Sequence, residues 1–98
     1  MEPRRSYKVS LTVNDQTITE VIIDSHFEEK HSESINDEII LALVRKLDGG
    51  TFESDDSDDE FEYFKTEPIE HGGKNYRLIW LLKNECMYIG VVNAFRRP

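Results

Sequence analysis

Strict alternation near the start limits what this chain can fold into more than any other feature. Tyr7, Val9, Leu11 and Val13 fall on one side, and Lys8, Ser10 and Thr12 on the other. Successive strand side chains point to opposite faces, so this pattern fits a half-buried strand. Asn14-Asp15-Gln16-Thr17 supplies turn chemistry, because Asn and Asp accept left-handed backbone and bond their own main chain. Ile18 to Ile23 then reads as the return strand of a hairpin.

The period changes after Asp24. Asp24 or Ser25 can cap a helical turn that begins at His26. A second, stronger helix is expected from about Ile35 to Leu47, where Ile35, Ile39, Ile40, Leu43, Val44 and Leu47 share one face. Ser34 and Asp37 form an approximate capping box at its start. Arg45 and Lys46 suit its last turn, and Gly49-Gly50 stops it.

Phe61 to Thr66 is an expected strand, turned by Pro68 and then by His71-Gly72-Gly73. Tyr76 to Leu82 and Met87 to Phe95 are the clearest strands of the last third, joined by a turn at Lys83-Asn84-Glu85. Leu78 and Trp80 lie on one side of the first, Ile79 and Leu81 on the other. That is the pattern of a strand covered on both faces. The expected fold is therefore α+β in the order ββααβββ, an antiparallel sheet with two helices packed on one face. A single domain would span residues 1–98, with a flexible start over 1–6. An acidic loop over 50–60 would join the second helix to the C-terminal meander.

Charge is distributed unevenly. Of twenty acidic residues, eight lie between Asp48 and Glu62 with no base among them, leaving twelve acids against twelve bases elsewhere. The net charge of −8 thus belongs to one segment. Residues 63–98 carry six bases and three acids, a mildly basic third. No stretch reaches the roughly 20 apolar residues of a membrane span. Met1-Glu2-Pro3-Arg4-Arg5 leads into no apolar run, so no signal peptide is expected. The single Cys86 excludes an internal disulfide or a cysteine-based zinc cluster and points to a reducing, cytoplasmic setting. Without a stabilised thiolate it reads as structural filler.

The run Asp55-Asp56-Ser57-Asp58-Asp59-Glu60 lacks the glycine and the terminal glutamate of a calcium-binding EF-hand loop. It reads instead as a solvated loop or a docking site for a basic protein partner. Mimicry of a nucleic acid would need its carboxylates held at fixed spacing. His26 and His31, roughly 500° apart around a helix, cannot pair as zinc ligands on one face. His71 reads as a turn residue, and neither a metal nor a cofactor is expected. Either His26 or His31 has the chemistry of a general acid or base. Basic and aromatic residues interleave at Lys74, Tyr76, Arg77, Trp80, Phe95, Arg96 and Arg97, a mixture suited to phosphates and bases. Alternation puts Arg77 on the face opposite Tyr76 and Trp80, and Trp80 and Phe95 read as core.

The stretch Ile22 to Ile40 runs as a strand, His26 at a first helix, Lys30 and His31 one turn later, then Ile35-Asn36-Asp37-Glu38. With Gly49-Gly50, a strand meander and the closing Gly90-Val91-Val92-Asn93-Ala94-Phe95-Arg96-Arg97, it resembles small bacterial RelE/BrnT-type toxin-superfamily proteins over roughly residues 18–97. Phe95 stands where that superfamily often has a tyrosine. The resemblance implies metal-independent cleavage of RNA, in which a 2′-hydroxyl attacks its own phosphate and the protein supplies a base, an acid and cations. It implies His26 as base or acid and Lys30 and His31 at the basic positions. It also implies Arg96 in catalysis, Arg77 and Arg97 on RNA phosphate, and an antitoxin as partner. The competing expectation is a non-catalytic interaction module that uses the acidic loop or an exposed sheet edge.

Overall fold

The computed structural model describes residues 4–24, 36–83 and 87–97. Six strands form one sheet: β1 (Arg4–Val13), β2 (Gln16–Asp24), β3 (Asp56–Ser57), β4 (Phe61–His71), β5 (Lys74–Lys83) and β6 (Tyr88–Arg97). The helix α1 spans Asp37–Arg45. Strand order is β1-β2-β6-β5-β4-β3.

This corrects the expected architecture. The sheet is mixed, because β2 and β6 run parallel, with Val21 opposite Ile89 and Ile23 opposite Val91. One helix, rather than two, packs on the sheet among the described residues; the turn expected from His26 lies outside them. The acidic segment also contributes a strand, since Asp56 and Ser57 pair with Tyr63 and Glu62.

Local chemistry explains each element. Asn14 and Asp15 have φ of 52° and 62°, the left-handed pair of a two-residue hairpin whose twist suits its strands. Val9 and Ser10 together face Thr19 where the β1–β2 register shifts. Across that shift the fully buried positions of β2 change parity, from Ile18 to Val21 and Ile23. The α1 cap is Asn36, not Ser34: its side chain accepts the Ile39 N–H at 2.9 Å. Asp37 instead receives the Arg5 guanidinium and the Tyr7 hydroxyl, which ties β1 to the first helical turn.

The end of α1 is bound to the β1–β2 hairpin. Gly49, at φ 81°, donates its N–H to the Thr12 carbonyl at 2.6 Å, and Asn14 N–H donates to the Gly50 carbonyl at 3.0 Å. The Asn14 side chain accepts from Phe52 N–H at 2.6 Å and donates to its carbonyl at 3.0 Å. An amide side chain thereby pairs with a backbone as a strand would.

The expected Phe61–Thr66 strand continues to His71, passing Pro68 where the β4–β5 register shifts between Thr66 and Ile69. A residue without an N–H is tolerated at such an irregularity. The core lies between α1 and one sheet face. It contains Ile40, Leu43, Val44 and Leu47 from the helix segment, with Val21, Ile23, Phe64, Leu78, Trp80, Leu82, Ile89 and Val91 from the sheet. At its centre Trp80 stacks on Phe64 with ring centroids 4.1 Å apart and meets Phe52 edge-on at 5.4 Å. Its Nε1–H donates to Thr66 Oγ1 at 3.0 Å, so the buried indole keeps a polar partner.

Candidate functional site

The sheet face opposite α1 is unlike the core face. Cross-strand partners share a face, so pairing of Leu81 with Gly90 and Tyr63, and of Ile22 with Gly90, gathers these residues there. Ile79 opposite Lys65 and Arg77 opposite Phe95 extend the same surface. Arg77, Ile79, Leu81 and Lys83 are half-buried, whereas Tyr76, Leu78, Trp80 and Leu82 on the other side of β5 are buried. The expectation that β5 is covered on both faces is therefore met on one face only.

A hollow of about 140 Å³ opens on this face, lined by Ile22, Phe61, Leu81, Tyr88, Gly90 and Val92. Gly90 makes its floor. A Cβ there would stand 2.7 Å from Leu81 Cδ1, so only glycine lets Leu81 lie across β6 undisturbed. Val92 is the extra β6 residue where the β5–β6 register shifts, and it remains 45% exposed. Met87, just before β6, is 57% exposed. An exposed apolar side chain beside an apolar hollow, as Val92 is here, marks a candidate interaction surface.

A carboxylate-rich hairpin adjoins this face: Asp56 is opposite Tyr63, which is opposite Leu81. The acidic run folds back as the β3–β4 hairpin, and Asp58 holds its turn. The Asp58 carboxylate accepts the N–H groups of Glu60 and Phe61, each at 2.8 Å, while Asp58 N–H donates to the Phe61 carbonyl at 2.9 Å. The Phe61 and Glu60 amides hold the Asp58 carboxyl below the usual aspartate range. Desolvation and the Asp58 charge push the Tyr63 hydroxyl up. The acids thus stay exposed, as expected over 50–60, but a two-residue strand, Asp56–Ser57, fixes part of the segment against β4.

The cations of β4 and β5 on this face are engaged within the protein. Arg77 pairs with Glu67, Lys65 lies 3.9 Å from Asp55, and Lys83 sits 5.8 Å from the Phe61 ring centroid. What the hairpin presents in excess is negative charge.

The residues proposed for RNA chemistry separate into two groups. His26, Lys30 and His31, like Cys86, lie outside the described residues. Arg77 is on the open face, whereas Arg96 stands opposite Tyr76 and therefore belongs to the other face. Arg77 and Arg96 do not meet on one patch. Arg97 ends β6 opposite Asn75. Among the described residues no group of three or more His, Cys, Asp or Glu is placed to hold a metal ion, and no helix is long and apolar enough to cross a membrane.

Sequence reasoning missed the hollow itself. One signal was available: Gly90 interrupts the apolar run from Tyr88 to Val92, and an isolated glycine inside a strand marks a close approach. The chain matches no protein-family model, no curated protein and no solved structure.

Proposed function

We propose that this chain is a non-catalytic protein-interaction module that captures a basic protein on the open face of its sheet. The observation that carries this reading is the adjacency of an apolar hollow and a carboxylate-rich hairpin on one face. The hollow offers desolvation for an apolar anchor, and the carboxylates select positive charge and raise the encounter rate. The endoribonuclease reading draws its base from His26, outside the described residues, and its catalytic Arg96 stands on the sheet face opposite Arg77. The interaction reading is preferred because its residues lie together.

A photo-crosslinking residue at Val92, with one at Lys46 beyond α1 as control, tests the reading in cells. Expected are adducts with basic proteins from Val92 alone, weakened by high salt and by neutralising Asp55, Asp56, Asp59 and Glu60 together. Equal labelling from Lys46 would overturn it. So would growth arrest with RNA cleavage that disappears on Arg96→Ala.

A further inference from the structure

We infer that the partner segment seated in the hollow is a basic amphipathic helix, its apolar stripe against Ile22, Leu81, Tyr88 and Val92 and its lysines and arginines toward the β3–β4 hairpin. This inference rests on the interaction reading above and specifies the occupant.

Position within the sheet favours a helix over a strand. The hollow is built by β2, β6, β5 and β4, inside the two edge strands β1 and β3. A partner strand adds to a sheet by hydrogen-bonding along an edge. Laid flat on the middle of a face, an extended segment would have its N–H and C=O groups desolvated with no partner. A helix satisfies its backbone internally and needs only an apolar stripe to dock, as α1 does on the other face. The dimensions agree: β2 to β4 is three strand spacings, about 14 Å, against about 10–12 Å for a helix with its side chains. The hollow, about 140 Å³, is close in size to cavities that admit a benzene-sized group, enough for one large anchor.

Charge decides the polar half of that helix. The hairpin segment Asp55 to Glu60 holds five acids and no base, and Lys65, Arg77 and Lys83 already have partners within this chain. A second copy of the chain, itself at net charge −8, would bring like charge to this face.

The test uses the whole chain, labelled for amide NMR, and three synthetic peptides of equal charge. One is a helix with leucines at i, i+3, i+4 and i+7 and lysine or arginine elsewhere. The second is the same sequence with two prolines inserted at its centre, and the third alternates valine and lysine. The helical peptide is expected to shift the amides of Leu81, Gly90 and Val92 and to bind at least about tenfold tighter than the other two. Val92→Glu, at an exposed site where the fold tolerates charge, should weaken binding by about tenfold. Asp55→Asn with Asp56→Asn should weaken it and flatten its salt dependence. Equal or tighter binding by the proline or the valine–lysine peptide, still sensitive to Val92→Glu, would overturn the helix and leave the interaction reading standing. Binding indifferent to Val92→Glu, or no binding by any peptide, would overturn both. A dimer of the free protein dissociated by Val92→Glu would also overturn both, by showing that a second copy fills the hollow.

Discussion

Leu81 lies directly over Gly90, so near that a methyl group on that glycine would come within 3.0 Å of Leu81 Cγ and 2.7 Å of its Cδ1. The two residues are cross-strand partners at the centre of the open face. Gly90→Ala must displace the Leu81 side chain, and overpacking of this kind costs about 1–3 kcal/mol. Urea unfolding of Gly90→Ala, Leu81→Ala and the double variant checks this. The double variant is expected to recover part of the loss, giving a coupling of at least about 0.5 kcal/mol. Simple additivity would mean that the contact does not limit packing.

Trp80 makes the second prediction. Thr66→Val preserves shape but removes the acceptor of a fully buried indole N–H. Leaving such a donor unsatisfied costs about 1–3 kcal/mol. A lower urea midpoint with an unchanged slope is expected, together with altered Trp80 emission. No change in midpoint would show that another acceptor serves the indole equally well.

Acid sensitivity is predicted at the β1–α1 junction. Partial burial pushes Asp37 up, but hydrogen bonds from Arg5 and Tyr7 outweigh it and hold the carboxyl below its usual range. Above the ordinary aspartate value of about 3.9, the carboxylate is charged in both states and its stabilisation is fully present. As pH falls below that value the unfolded chain takes up the proton first, so stability is lost progressively through the depressed folded value. Asp37→Asn should therefore be less stable near neutrality, and its difference from the parent should shrink as pH falls. Unfolding curves between about pH 3 and 7 measure this; a constant difference would exclude Asp37 as the titrating group.

The same junction sets an alkaline limit. The Tyr7 hydroxyl is raised by its hydrogen bond to Asp37, then by desolvation and the Asp37 charge. Its stabilisation is complete below the ordinary tyrosine value, about 10, and is lost as pH climbs through the higher folded value. Tyr7→Phe should remove that alkaline loss. Ultraviolet titration of the phenolates should show a raised midpoint in the wild-type protein that is missing in the variant.

Asp58 has a local role. Asp58→Ala should speed amide exchange at Glu60 and Phe61, whose N–H groups its carboxylate accepts. Amides of β5 and β6 should keep their protection, because the turn is exposed and remote from the core. Loss of protection throughout β5 would mean that the hairpin supports the whole sheet.

Period and turn chemistry made several elements legible in the sequence. The β1–β2 hairpin follows from alternation at Tyr7 to Val13 and from Asn14-Asp15, and the buried stripe of α1 from Ile40, Leu43 and Val44. These are local effects, set within a few residues of where they act. The cap of α1 is Asn36 rather than the expected Ser34, and Asp37 is held by Arg5 and Tyr7, thirty-two and thirty residues away in sequence. The parallel β2–β6 pairing, the strand within the acidic run and the one-sided cover of β5 likewise lay beyond a reading of the chain. Two alternating apolar faces look the same in a sequence whether one or both are covered. Which strands pair, and which face stays open, is settled by how distant segments compete to bury apolar area, and that competition leaves no periodic trace along the chain.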